Sequence, residues 1–164
     1  MILDKVKKNI RNKIYKKPSH LIIETTNRCN LNCPYCLVGR QNEPNKGTAN
    51  AAHNLMTRTV GFMGKKTFEI AHRQLLKFGI KRVYLHFQGE PFLNKHTSYF
   101  AKQLKEDGLW VGIFTNGQTF TNRIIDEIVS VEIDFIRFFI SANLAKKQKQ
   151  IQTGCRELKK YLSD

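Results

Sequence analysis

Three cysteines lie close together near the start of the chain, and cysteine thiolates are strong metal ligands. Cys29, Cys33 and Cys36 follow the spacing C-x3-C-x2-C, which lets one loop present three thiolates to a compact metal centre. A cubane iron–sulfur cluster has four irons, and clusters that only carry electrons usually have a cysteine on each iron. Three cysteines would leave one iron open to a small molecule, just as an open position distinguishes catalytic from structural zinc sites.

The same spacing also suits zinc. Short cysteine clusters commonly bind zinc, and a histidine or Cys155 would supply the fourth ligand. Zinc knuckles usually lie on small β or ββα scaffolds, whereas this cysteine run follows a predicted strand in a longer series of strands and helices. The spacing by itself leaves both metal centres open.

The elements that must position the cysteines are short apolar segments alternating with amphipathic ones. Short apolar runs predict strands over 20–25, 83–87, 110–114 and 134–140, and helical patterns predict helices over 65–78, 96–107, 121–130 and 144–162. Strands alternating with helices indicate βαβ units and a parallel sheet. The predicted fold class is therefore α/β, with about four parallel βα units.

Distinctive turns follow each predicted strand. The cysteine run comes after the first, and the others are followed by residues 88–91, 115–117 and 141–143. Because the carboxyl ends of parallel strands carry the ligand site in barrels and open α/β sheets, we expect these turns to meet. Residues 39–64 are rich in Gly, Asn and Thr and predict a long loop, which in a compact domain is usually functional or disordered.

The chain has 164 residues and a formal net charge of +15. Residues 1–17 predict a basic amphipathic N-terminal helix, and residues 18–164 predict one domain. The basic residues are scattered, which favours a lysine-rich composition over a nucleic-acid interface, although such an interface stays open.

No segment has the ~18–20 apolar residues of a membrane span, and the start lacks a secretory signal. We expect a cytoplasmic protein, whose reducing surroundings favour metal binding over disulfides.

The motifs resemble those of one family. The run TNRCNLNCPYC over 26–36 closely resembles the cluster loop of the radical S-adenosylmethionine (SAM) superfamily, whose pattern is C-x3-C-x-aromatic-C. GEP over 89–91 is similar to its GGE motif, with Gln88 in place of the usual first glycine, and TNG over 115–117 resembles the motif after its third strand. The sequence around these motifs looks most like that of the SPASM branch, whose members modify peptides or proteins. The resemblance covers about 19–141 and implies a partial radical SAM (βα) barrel.

The resemblance implies that Cys29, Cys33 and Cys36 ligate a [4Fe–4S] cluster and that SAM chelates its open iron. It also implies a set of residues that contact SAM: Tyr35, Gly89, Glu90, Thr115, Asn116 and Ser141. For Glu90 the alternative is a solvated turn residue, and for Tyr35 it is ordinary loop packing. His86 and Glu24 become substrate contacts if they point inward.

The activity implied is reductive cleavage of SAM to a 5′-deoxyadenosyl radical, which abstracts a hydrogen atom from a substrate. An electron donor such as flavodoxin or ferredoxin would reduce the cluster, and a peptide or protein is the favoured substrate. Three other readings stay open. They are a truncated homologue that binds a cluster without turnover, a compact glycyl-radical activating enzyme, and a zinc-stabilised basic module for nucleic acid.

The chain also departs from the family pattern. The superfamily core usually has six βα units, whereas four are predicted here, so the domain reads as C-terminally truncated. The apolar strand over 134–141 would then lie at an open sheet edge, and such edges pair readily with other chains. We expect self-association or a partner chain that completes the barrel through this edge.

Overall fold

The computed structural model describes residues 3–6, 18–31, 33, 36, 38 and 59–139. Its elements are β1 (Leu21–Ile23), α1 (Lys65–Lys77), β2 (Arg82–Leu85), a 3₁₀ turn (Pro91–Leu93), α2 (Thr97–Glu106), β3 (Trp110–Thr115), α3 (Asn122–Ser130) and β4 (Phe135–Phe138). Of the predicted helix over 1–17, residues 3–6 are described, and they are helical. The predicted helix over 144–162, with Cys155, lies outside the described residues.

The four strands form one parallel sheet in the order β1-β2-β3-β4. Ile23 pairs with Leu85, Leu85 with Ile113, and Ile113 with Ile136, so these four side chains form one row across the sheet. Parallel neighbours must be joined by a crossover, and α1, α2 and α3 lie in the three crossovers. The predicted α/β class with four parallel strands is confirmed.

The helices cover one face of the sheet, and the core lies between them. Alternation along β2 and β3 points Val83, Leu85, Val111 and Ile113 toward the helices, and all four are fully buried. Each helix contributes a stripe of buried apolar residues to the same cluster: Phe68, Leu75, Phe100, Leu104, Ile124 and Ile128. Burying one such side chain stabilises the fold by about 1.5–3 kcal/mol, so this core holds the strand ends in place.

Two helices end in the same backbone motif, in which a glycine adopts a left-handed conformation. Gly79 and Gly108 have φ of 69° and 71°, and their N–H groups donate to carbonyls three residues earlier. The following residues, Ile80 and Leu109, donate back five residues at 3.2 and 3.1 Å, which completes a Schellman motif. After α3 the corresponding position is Glu132, which adopts φ of 54° without the freedom of glycine.

The first strand is shorter than predicted. β1 ends at Ile23 because the chain then pairs with a different segment: the Thr25 carbonyl accepts from the Met63 N–H at 2.8 Å, and Thr26 forms an antiparallel bridge with Phe62. The predicted loop over 39–64 is therefore anchored beside the cysteine run at its described end, 59–64. The other strand and helix boundaries in the described ranges lie within two residues of prediction.

The opposite face of the sheet carries aromatic side chains. Tyr84 and Trp110 pack edge to face at 5.2 Å, and Phe114 lies 5.6 Å from Tyr84. Gly112 pairs with Tyr84 in the register, and a Cβ there would lie 2.7 Å from the Tyr84 ring, so glycine makes room for these rings. In the part of the chain described, no helix is long and apolar enough to cross a membrane.

Candidate functional site

A cavity of about 300 Å³ opens at the carboxyl ends of the strands. Its wall comes from the cysteine run, the turn after β2, the end of β3 and the residue after β4. The predicted site residues among those lining it are Cys29, Cys33, Cys36, Gly89, Glu90, Thr115 and Asn116. Tyr35 and Ser141 lie outside the described residues. The structure thus brings together every predicted cluster ligand and SAM contact that it describes.

The three cysteines are partly buried in this wall, and none is in a disulfide. The Cys36 N–H donates to the Cys33 carbonyl at 3.0 Å, which folds the run back on itself, and the Leu31 N–H donates to the Cys29 Sγ at 3.5 Å. Burial raises the pKa of Cys33, with a smaller contribution from the charge of Cys36. These two thiols are therefore close enough to interact.

Cys29 lies deeper than Cys33. Burial raises the pKa of the Cys29 thiol, the Leu31 N–H opposes that rise, and the charges of Glu90, Cys36 and Cys33 add to it. A thiol of this kind ionises when a metal binds it, because a coordinated cation stabilises the thiolate. Within the described ranges, no group of three or more His, Cys, Asp or Glu is arranged to hold a single metal ion.

Gly89 lies directly against the chain that leads into the cysteines. A Cβ built on Gly89 would lie 2.1 Å from the Thr26 carbonyl oxygen and 2.7 Å from that of Arg28. The next N–H, that of Glu90, donates to the Arg28 carbonyl at 2.7 Å. Any side chain at Gly89 would push these two segments apart, so glycine is required by the close approach of two backbones.

Glu90 is almost completely buried, with 2% of its surface exposed, so the alternative of a solvated turn residue is wrong. Its Oε1 accepts from the Thr115 hydroxyl at 2.6 Å and from the Phe92 N–H at 3.2 Å, and its Oε2 accepts from the Asn116 N–H at 2.7 Å. Burial raises the pKa of this carboxyl, and the three hydrogen bonds oppose the rise. Among the described residues, none of the ion pairs involves Glu90.

Asn116 connects the turn after β3 to the cysteine run. Its Nδ2 donates to the Asn30 Oδ1 at 2.7 Å and lies 3.9 Å from the Cys29 Sγ. Its Oδ1 accepts from the Gln118 N–H at 2.9 Å. The Asn30 Nδ2 donates in turn to the Gln118 Oε1 at 3.4 Å, so the two loops are joined at several points.

Two buried asparagines that the sequence did not single out hold the cysteine run from its other side. Asn27 donates to the Thr59 carbonyl at 3.0 Å and accepts from the Gly61 N–H at 2.7 Å. Asn94 donates to the carbonyls of Thr25 and Met63 at 2.8 and 2.9 Å. In the sequence, the only sign of either role is a polar side chain beside an apolar strand or turn. The hydrogen-bond partners of the two asparagines lie 31–69 residues away in the chain.

Aromatic side chains form the rest of the cavity wall. His86 packs over Phe114 with ring centroids 4.1 Å apart, and Phe87 and Phe139 line the cavity beside them. Burial lowers the pKa of His86, so its neutral form is favoured. Glu24 is half-buried and is not among the residues that line the cavity.

Comparison with known proteins gives a family and a fold. The radical SAM superfamily profile matches residues 23–156. The chain is similar to the crystal structure of BtrN in complex with AdoMet and 2-DOIA, with a TM-score of 0.58 and 25% identity over 74% of this chain and 46% of that one. It is also similar to an open conformation of selenomethionine BtrN, with a TM-score of 0.57 and 20% identity over 78% of this chain and 58% of that one.

The chain spans about half the length of the two BtrN chains that it matches. No curated protein sequence gives a significant match.

Proposed function

Because the chain belongs to the radical SAM superfamily, we propose that Cys29, Cys33 and Cys36 hold a [4Fe–4S] cluster whose fourth iron binds SAM. The observation that supports this most directly is that three thiols from one loop line one cavity. Such a donor set suits iron and sulfide, because thiolates are the usual ligands of iron–sulfur clusters. AdoMet in the similar BtrN structure favours the same cofactor here.

The buried carboxylate of Glu90 supports a cationic ligand in the cavity. A buried charge is costly unless it is paired. The three hydrogen bonds that Glu90 accepts use three of the roughly four lone-pair positions of a carboxylate. With respect to the described residues, one position remains for the methionyl ammonium of SAM. We propose that SAM contacts the whole predicted set: Tyr35, Gly89, Glu90, Thr115, Asn116 and Ser141.

The chemistry belongs to the cofactors, and the protein positions and shields them. Held by Cys29, Cys33 and Cys36, a [4Fe–4S] cluster would supply the electron for reductive cleavage of SAM, and the resulting 5′-deoxyadenosyl radical would abstract a hydrogen atom from the substrate. The aromatic rings of Phe87, Phe114 and Phe139 would give the radical an apolar wall. His86, held in its neutral form by burial, places an uncharged ring nitrogen on the same wall.

The substrate and the electron donor belong to the same proposal. The sequence around the motifs looks most like that of the SPASM branch, which favours a peptide or protein as the substrate. Flavodoxin or ferredoxin is the expected reductant. A cytoplasmic location fits, because a reducing compartment keeps the thiols available for the cluster.

The second candidate is a catalytically incomplete homologue, or a subunit completed by another chain. It is favoured by the open edge of the sheet among the described residues. In the described part of the chain β4 pairs with β3 alone, and its Phe135 is 39% exposed. An edge of this kind would accept a strand from a second copy or from a partner. Sedimentation of the purified chain separates these states, and a stable monomer would argue against self-association.

The decisive assay is cleavage of SAM by anaerobically reconstituted protein with dithionite. Formation of 5′-deoxyadenosine supports the enzyme. A loaded cluster without product supports the incomplete homologue, and addition of a candidate partner chain then tests completion. Zinc without iron or sulfide, together with RNA binding that weakens steeply with salt, would favour the nucleic-acid module instead. The Cys33→Ala variant is the matched control and should give no product.

A further inference from the structure

The side chain of Asn116 is held in one orientation at the edge of the cavity. It is 6% exposed, and its side chain has three polar partners: Asn30, Gln118 and the sulfur of Cys29. The Gln118 N–H fixes the amide oxygen, because only an acceptor satisfies that donor. The amide N–H₂ group must then face Asn30 and Cys29.

The backbone of Asn116 is fixed as firmly as its side chain. Its N–H donates to the Glu90 Oε2 at 2.7 Å, while the preceding residue, Thr115, donates its hydroxyl to the Oε1 of the same carboxylate at 2.6 Å. Glu90 is itself tied to the cysteine run, because its N–H donates to the Arg28 carbonyl at 2.7 Å. The turn after β2 thus sets the position of Asn116 relative to Cys29.

One N–H of Asn116 is directed at a sulfur that the proposed function makes a cluster ligand. The 3.9 Å separation from the Cys29 Sγ is long for a neutral thiol, and a charged acceptor makes such a hydrogen bond roughly twice as strong. Hydrogen bonds to ligand sulfurs tune the reduction potential of iron–sulfur clusters. They stabilise the more negative, reduced state most, so each such bond raises the potential.

We propose that Asn116 is a positioning residue for Cys29, held by Glu90 and Asn30, and that its side-chain N–H raises the reduction potential of the bound cluster. This inference rests on the proposed function, because it needs the cluster. It assigns one N–H of the Asn116 amide to Asn30 and the other to Cys29. A contact between the Asn116 side chain and SAM would then use the second lone pair of Oδ1.

The test compares the full-length wild type with Asn116→Asp and Asn116→Leu, both of which remove the N–H donor. Gln118→Glu is the matched control, because it adds the same charge to the same turn without a contact to the sulfur. Each protein is reconstituted anaerobically, its iron and sulfide are measured, and its midpoint potential is determined by redox titration followed by electron paramagnetic resonance. Circular dichroism establishes that each variant is folded.

Both Asn116 variants should show a more negative midpoint potential than the wild type, and Gln118→Glu should shift less than Asn116→Asp. If both folded Asn116 variants lose iron while Gln118→Glu stays loaded, the positioning role is also supported. Loaded Asn116 variants with the potential of the wild type would overturn the inference and leave the proposed function intact. A wild type that takes up no iron would overturn the proposed function, and this inference with it.

Discussion

Replacement of Gly89 by alanine tests how the turn after β2 meets the cysteine run. The added Cβ would lie 2.1 Å from the Thr26 carbonyl oxygen and 2.7 Å from that of Arg28, and both are backbone atoms that cannot rotate away. Overpacking of this kind typically costs about 1–3 kcal/mol. Separation of the segments would also break the hydrogen bond from the Glu90 N–H to Arg28, worth about 0.5–1.5 kcal/mol. We therefore expect a loss of about 2–4 kcal/mol in the free energy of unfolding.

Urea unfolding followed by circular dichroism measures this loss. For a domain of this size it corresponds to a fall of roughly 1–2 M in the urea midpoint. Gly61→Ala is the matched control, because nothing lies within 4 Å of the Cβ it would add and Gly61 lies in a segment beside the same run. Free energies of unfolding that agree within about 0.5 kcal/mol for the two variants would refute the reasoning about close approach.

Three further substitutions test other parts of the account. Asn94→Leu removes the side-chain donor to the Met63 carbonyl and one of the two donors to the buried Thr25 carbonyl, which keeps the Met63 N–H. It should cost about 1–3 kcal/mol by urea unfolding, and no measurable loss would contradict its bridging role. Glu132→Gly relieves a left-handed residue at the end of α3 and should raise stability by about 0.5–1 kcal/mol in thermal unfolding, and an unchanged or lower melting temperature would contradict this. Burial lowers the pKa of His86 from its ordinary 6.5, so the unfolded chain binds that proton first and stability falls as the pH falls below about 6.5. His86→Phe should reduce that loss, seen as urea midpoints compared at about pH 5 and 7.5, and an unchanged loss would exclude His86 as its source.

The strands and helices were predictable because their signals are local. Gly79 and Gly108 mark helix ends, since the Schellman motif needs a left-handed residue there, and each predicted end lies within two residues of the observed one. A continuous apolar run predicted β3 closely. The family was also predictable from sequence, because three motifs in order on three strand ends are specific, and the superfamily match confirms it.

The support around the cysteines was not predictable, because it depends on contacts between distant residues. Nothing near Asn94 in the sequence indicates that it bridges Thr25 and Met63. The sequence left Glu90 as either a ligand contact or a solvated turn residue, and its burial depends on how β2 and β3 pair. For the same reason β1 was predicted too long, since its end is set by pairing with the segment at Met63.

The central claim is that Cys29, Cys33 and Cys36 together hold an iron–sulfur cluster. Its most direct test is iron, sulfide and Mössbauer analysis of the anaerobically reconstituted chain, compared with alanine variants of each cysteine and with Cys155→Ala. We predict about four irons and about four sulfides per chain in the wild type and in Cys155→Ala, with most of both lost in the other three variants. Zinc in place of iron, or metal content that is unchanged when the three cysteines are replaced, would contradict the account.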